Sequence, residues 1–133
     1  MNEMVRCLKA LADENRLRIL MLLRERDLCV FELMGVLGLS QPLLSSHLGV
    51  LRSAGLVSAR REGKRMRYAL TEAGRVGGKR GIVNLVTTAL RGEAAMETDL
   101  ERLRACREFR KGDETCDRAA VARFREQEGG TQQ

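Results

Sequence analysis

Residues Phe31–Leu70, FELMGVLGLSQPLLSSHLGVLRSAGLVSARREGKRMRYAL, decide how this chain folds. Gly38 suits the left-handed position that ends a helix, because it has no Cβ to clash there. Ser40 can cap the next helix with its hydroxyl, and Pro42 falls in the first turn, where a missing N–H costs nothing. The spacing predicts a helix ending at Leu37, a tight turn, and a second helix from Gln41 to about Ala54, stopped by Gly55. Leu56–Arg61 and Met66–Leu70 have the composition of two short strands, with Glu62–Arg65 turning around Gly63. A helix set across its predecessor by so short a turn can be laid in a DNA major groove.

On the second helix, Leu44, Leu48 and Leu51 share one face and must pack against the preceding helix. The opposite face presents Pro42, Ser45, Ser46, Gly49 and Ser53, flanked by Gln41 and Arg52. Small residues there let the helix sit deep in a groove, and Gln41 can pair bidentately with adenine. Serine hydroxyls bond bases or phosphates. The sole histidine, His47, lies at the other flank of the apolar face, where spacing leaves a packed role and a DNA contact both open. Arg60, Arg61, Lys64, Arg65 and Arg67 cluster around the hairpin tip, suited to phosphates or a minor groove.

Working outward, Asn2–Leu11 carries Met4, Cys7, Leu8 and Leu11 on one helical stripe. Asp13 is a good N-cap for a helix containing Leu17, Leu20 and Met21. Asp27–Cys29 breaks that helix and leads into a third, Val30–Leu37. Gly74, Gly77, Gly78 and Gly81 make the segment after the hairpin a poor helix former and a flexible joint. A long amphipathic helix is then expected from Ile82 to about Lys111, with Ile82, Val86, Ala89, Met96, Leu100 and Leu103 near a seven-residue repeat interrupted by Gly92 and Glu93. Such a seam predicts a second chain. Residues 1–111 are therefore one DNA-binding and dimerisation domain, and 112–133 a flexible tail with a short helix through Phe124 and a disordered GGTQQ end.

The 133 residues suffice for one small core, and with 3% aromatics and no Trp it must be built from Leu, Val, Ala and Met. Twenty-four Lys and Arg against 18 Asp and Glu leave a net charge of +6, which fits a polyanionic partner. The charged N-terminus lacks an apolar leader segment, and no stretch is long enough to span a membrane, so a cytoplasmic location is expected. Thiols there stay reduced, so Cys7, Cys29, Cys106 and Cys116 are ligands, redox sensors or core residues sooner than structural disulfides. No CxxC spacing marks a zinc ribbon. One histidine, no nucleophile–base pair and no phosphate loop after a strand argue against an enzyme.

ALADENRLRILMLL (Ala10–Leu23), DLCVFEL (Asp27–Leu33), LSQPLLSSHLGVLRSAGLV (Leu39–Val57) and the hairpin REGKRMRYAL together resemble the ArsR/SmtB family. The resemblance covers about Met4–Leu70. It implies a mainly α fold with a two-stranded β-hairpin wing, a dimeric winged helix-turn-helix repressor that leaves operator DNA when an inducer binds. It assigns Gln41, Ser45, Ser46 and His47 to the recognition helix and the Gly63 hairpin to the wing. Arg52, Arg61, Lys64 and Arg65 complete the expected DNA-binding set. It places the dimer interface on the first helix and the long C-terminal helix.

Family members that sense trivalent arsenic or soft metals often carry two cysteines in the segment matching Leu28–Leu33. Here Cys29 matches the first, and Phe31 stands at the second. The family's other common site needs His on the last helix, and none follows His47. Thiolate chemistry remains. Cys29 stands at a helix N-terminus, where the dipole favours the thiolate. Cys29, Cys106 and Cys116 form the expected three-sulfur site for As(III) or Sb(III), otherwise for Cd(II), Pb(II) or Cu(I). No cofactor is needed for DNA binding itself, and Cys7 belongs to the core. Two alternatives stay open: a redox or persulfide sensor in which two cysteines bridge reversibly, and a winged-helix interaction module without an inducer.

Overall fold

Local capping signals set several helix boundaries in the computed structural model, which describes residues 2–72 and 80–109 together with Ala122 and Glu126. Helix α1 spans Asn2–Leu11 and α2 spans Glu14–Glu25. The Asp13 carboxylate accepts from the Arg16 backbone N–H at 3.1 Å and so starts α2. Strand β1 is only Leu28–Cys29, followed at once by α3, Val30–Leu37. Gly38 ends α3 in the left-handed region at φ 72°, and its N–H returns to the Met34 carbonyl. Ser40 accepts from the Leu43 N–H and opens α4, Gln41–Ser53, with Pro42 in its first turn.

Strands β2, Val57–Glu62, and β3, Arg65–Leu70, form the hairpin, with Gly63 at φ 62° in the turn. The hairpin root is tied to the end of α4, where the Thr71 hydroxyl donates to the Gly55 carbonyl at 2.7 Å. The expected two-stranded wing proves to be part of a three-stranded antiparallel sheet in the order β1-β3-β2. Leu28 pairs with Tyr68 and Cys29 with Arg67.

Ile19, Leu20, Leu22 and Leu23 of α2, Leu33 and Val36 of α3, and Leu44, Leu48 and Leu51 of α4 make a continuous buried cluster. Each buried leucine contributes about 2 kcal/mol of apolar transfer, which fixes α4 against the scaffold by its back face alone. Cys7 is fully buried within this cluster, as its place on the α1 stripe implied.

The long C-terminal helix is two helices. Helix α5 spans Arg80–Leu90 and α6 spans Ala94–Phe109, separated by Gly92 at φ 94°. The seam expected to meet a second chain turns inward on α6: Met96 and Leu103 are buried and Leu100 is half-buried, with Asp99 and Cys106 buried beside them, and α6 packs on α2 and α3. Arg18 of α2 explains the direction. Its guanidinium grips Asp99 at 2.7 and 2.9 Å and also donates to the Leu37 carbonyl at the end of α3. The Asp99 bond raises the Arg18 pKa against the opposing effect of burial. Arg24 similarly bonds Thr87 of α5. Gly74, Gly77 and Gly78 of the expected joint, and the tail from residue 112 apart from Ala122 and Glu126, lie outside the described residues. No helix among the described residues is long and apolar enough to cross a membrane.

Candidate nucleic-acid interface and cysteine corner

The back of α4 is occupied by its leucines, so its front faces outward. Ser45, Ser46, Gly49, Arg52 and Ser53 are exposed there, and Gln41 is half-buried at the helix start. A glycine inside a helix costs about 1 kcal/mol relative to alanine. A Cβ built on Gly49 would meet nothing within 4 Å, so the fold itself does not require this residue. Its absence of a side chain keeps the front of the helix low, as close approach to another molecule demands.

His47 does not join that front. It is buried on the α2 side of the helix, with Nδ1 3.3 Å from an Arg16 Nη and 3.9 Å from Asp13. Arg16 also donates to the Ala10 carbonyl at 2.6 Å and the Lys9 carbonyl at 3.2 Å, closing the end of α1. Asp13 is pushed up by burial, yet the Arg16 N–H and guanidinium, with His47, outweigh this and hold its carboxyl below the ordinary range. His47 thus joins a polar cluster that seats α4 from behind. Spacing alone had left that role open.

On the wing, Arg61 and Lys64 are exposed and Arg65 is half-buried. Arg67 is turned inward along the hairpin: its Nε donates to Glu62 at 2.5 Å, and an Nη reaches the Asp27 carbonyl at 3.4 Å. Arg60 also donates to Glu62, at 3.3 Å. Hydrogen bonds from Arg67 first, then Arg60, hold the Glu62 carboxyl below its usual range. The sequence shows this hairpin as a run of cations; Glu62 offsets two of them, Arg67 across the strands and Arg60 along its own strand.

Cys29 is the last residue of β1 and the N-cap of α3, and it is 1% exposed. Its backbone N–H donates to the buried Glu32 carboxylate at 3.1 Å, and Glu32 is in turn paired with Arg26 at 3.1 Å. Cys29 is disulfide-bonded, whereas Cys7 and Cys106 are buried thiols. Cys106 stands on α6, which packs against α3; Cys116 lies outside the described residues. Among the described residues, no group of three or more His, Cys, Asp or Glu side chains is placed to hold a metal ion.

A reading helix with a low front, a hairpin extending from its C-terminal end and a short third strand define a winged helix-turn-helix domain. Residues 13–59 match the model of the bacterial regulatory proteins of the arsR family. The arsenical resistance operon repressor of Escherichia coli K12 is 46% identical over 68 residues, 50% of this chain and 58% of that protein. The transcriptional activator HlyU of Vibrio cholerae is 48% identical over 64 residues, 48% of this chain and 59% of that protein. A solved structure of HlyU aligns with a TM-score of 0.58 at 39% identity, covering 66% of this chain and 91% of that one. The homodimeric winged helix-turn-helix DNA-binding domain from Mycobacterium bovis, a possible ArsR-family regulator, aligns at TM-score 0.54 and 27% identity over 86% of this chain and 88% of that one. The chain belongs to the ArsR family. It spans about half to three-fifths of the length of the curated relatives it matches.

Proposed function

We propose that this chain is a homodimeric transcriptional repressor that binds operator DNA through α4 and the wing and responds to oxidation of Cys29. The observation that carries the reading is the disulfide at Cys29, at a helix N-cap in ladder contact with the wing. Gln41, Ser45, Ser46 and Arg52 contact bases and phosphates, Arg61, Lys64 and Arg65 contact phosphates, and His47 seats the helix. The dimer forms through the exposed apolar side chains of α1, Met4 and Leu8, and through Leu85 of α5, which is 70% exposed.

In the oxidation step the Cys29 thiolate attacks a peroxide oxygen, giving a sulfenic acid and expelling hydroxide or alkoxide, which takes up the proton the thiol released and leaves as water or alcohol. A second thiolate displaces hydroxide from that sulfur; two thiols lose two electrons and two protons, and the peroxide is reduced. Cys7 and Cys106 are buried thiols, so Cys116 is the exchange partner in this reading. A polysulfide reaches the same bridge, or a longer one, by thiol exchange.

Treating the reduced chain with peroxide should add an intramolecular Cys29–Cys116 link, seen by peptide mass spectrometry, and weaken binding to its selected DNA duplex at least tenfold. Cys29→Ser should bind like the reduced chain and ignore peroxide. Full response in the Cys29 variant would discard the reading. A second reading has As(III), Sb(III), Cd(II), Pb(II) or Cu(I) held by Cys29, Cys106 and Cys116. It draws on the name of the Escherichia coli relative and on the packing of α6 against α3. A sulfur held in a disulfide is not available as a thiolate ligand, which favours oxidation as the first reading. Release of DNA by arsenite under strong reductant would reverse that order.

A further inference from the structure

Helix α1 has two flanks beside its buried line of Cys7, Ala10 and Leu11. Met4 and Leu8 project from one flank, and Asn2, Arg6 and Lys9 from the other, by helical geometry. That second flank faces α4: Asn2, Val5, Arg6 and Lys9 line a surface groove with Arg16 of α2 and Val50 of α4. Arg16, committed to the carbonyls of Lys9 and Ala10 and to His47, holds the end of α1 in place beside the reading helix. Arg6 and Lys9 are exposed, and their side chains make no ion pair among the described residues. No acidic residue lines the groove.

The two flanks of α4 are unequally equipped. Gln41 and Arg52 lie on one, roughly opposite Leu43 and Val50 on the other at about 100° per residue. Leu43 and Val50 are 43% and 38% exposed, and their flank has no cation of its own. A helix in a major groove about 12 Å wide has a phosphate strand on each side. Arg52 serves one strand. The other passes the flank where α1 supplies the exposed cations, Arg6 and Lys9, beside the mostly buried Arg16.

We propose that Arg6 and Lys9 form a phosphate strap: they neutralise the DNA strand running along the Leu43–Val50 side of α4, while Val5 and Val50 pack on its sugars. The strap rests on the reading of α4 as the DNA-binding helix. It fixes orientation without reading sequence, as backbone contacts do. It also makes α1 a shared element, dimer seam on one flank and DNA contact on the other.

The test compares wild type with the Arg6→Gln/Lys9→Gln double variant on two labelled duplexes, one of random sequence and one selected from a random pool by the wild-type chain. Affinity is measured by anisotropy across a series of KCl concentrations, and sedimentation reports the oligomeric state of the same samples. Each phosphate contact contributes about 0.9 to the slope of log affinity against log salt. A dimer losing four contacts should therefore drop by about 3.6 in slope on both duplexes, with its preference between them unchanged. A wild-type slope in the variant overturns the strap, and so does a loss traced to dissociated protomers. If wild type binds neither duplex, the DNA reading of α4 fails first, and the strap with it.

Discussion

On the front of α4, Ser45, Ser46, Gly49 and Arg52 stand exposed on a helix whose capping and packing are complete without them. At the start of α3, by contrast, Cys29 and Glu32 are buried, and every described contact there ties one element to another. The first region is held from behind and leaves its working face unengaged. The second does its work through the bonds that hold it. Substitutions should therefore separate binding from stability on α4 and fail to separate them at the α3 corner.

The largest expected effect tests the corner. Glu32→Ala removes the acceptor shared by the Cys29 N–H and the Arg26 guanidinium, and should cost about 2–3 kcal/mol of unfolding free energy in the reduced chain. Urea denaturation measures it, and a cost below about 0.5 kcal/mol would place the corner with ordinary surface sites. Gly49→Ala tests the front. It should raise stability by about 0.5–1 kcal/mol through helix propensity alone, while weakening binding to the selected duplex as a methyl enters the approach surface. If both quantities improve, the front of α4 does not closely approach DNA.

The smallest effect is expected from Glu62→Gln on the wing. Losing the carboxylate releases Arg60 and Arg67 for phosphate, so binding should tighten modestly and its salt dependence steepen. Unchanged binding would show that Arg60 and Arg67 stay clear of the duplex.

The sequence made the capping signals legible because they are local. Asp13, Gly38, Ser40 and Pro42 each act within four residues of themselves, and each is found where its chemistry demanded. The features that escaped depend on distant partners. Leu28–Cys29 is too short to show alternation, and its ladder partners Tyr68 and Arg67 come some forty residues later. The heptad-like spacing of Met96 and Leu103 is real, yet no local rule says whether such a stripe meets another chain or its own core. That choice follows from Arg18 pairing with Asp99, 81 residues apart. For His47, a position at the edge of the apolar face suited either side of the helix, and the Asp13–Arg16 pair behind it decided the matter.

The two-residue strand also gives the wing an anchored root. With Cys29 laddered to Arg67, the hairpin beyond that point projects four residues to Gly63, about 13 Å at strand rise. A tilt of the root by about 10° then swings the tip by about 2 Å, most of a hydrogen-bond length, with no change in the hairpin itself. The wing is in this sense a pointer mounted on the cysteine, and its length sets the gain. Adding a residue pair to the turn would enlarge the swing for the same twist, while leaving the root pairing of Leu28 and Cys29 untouched.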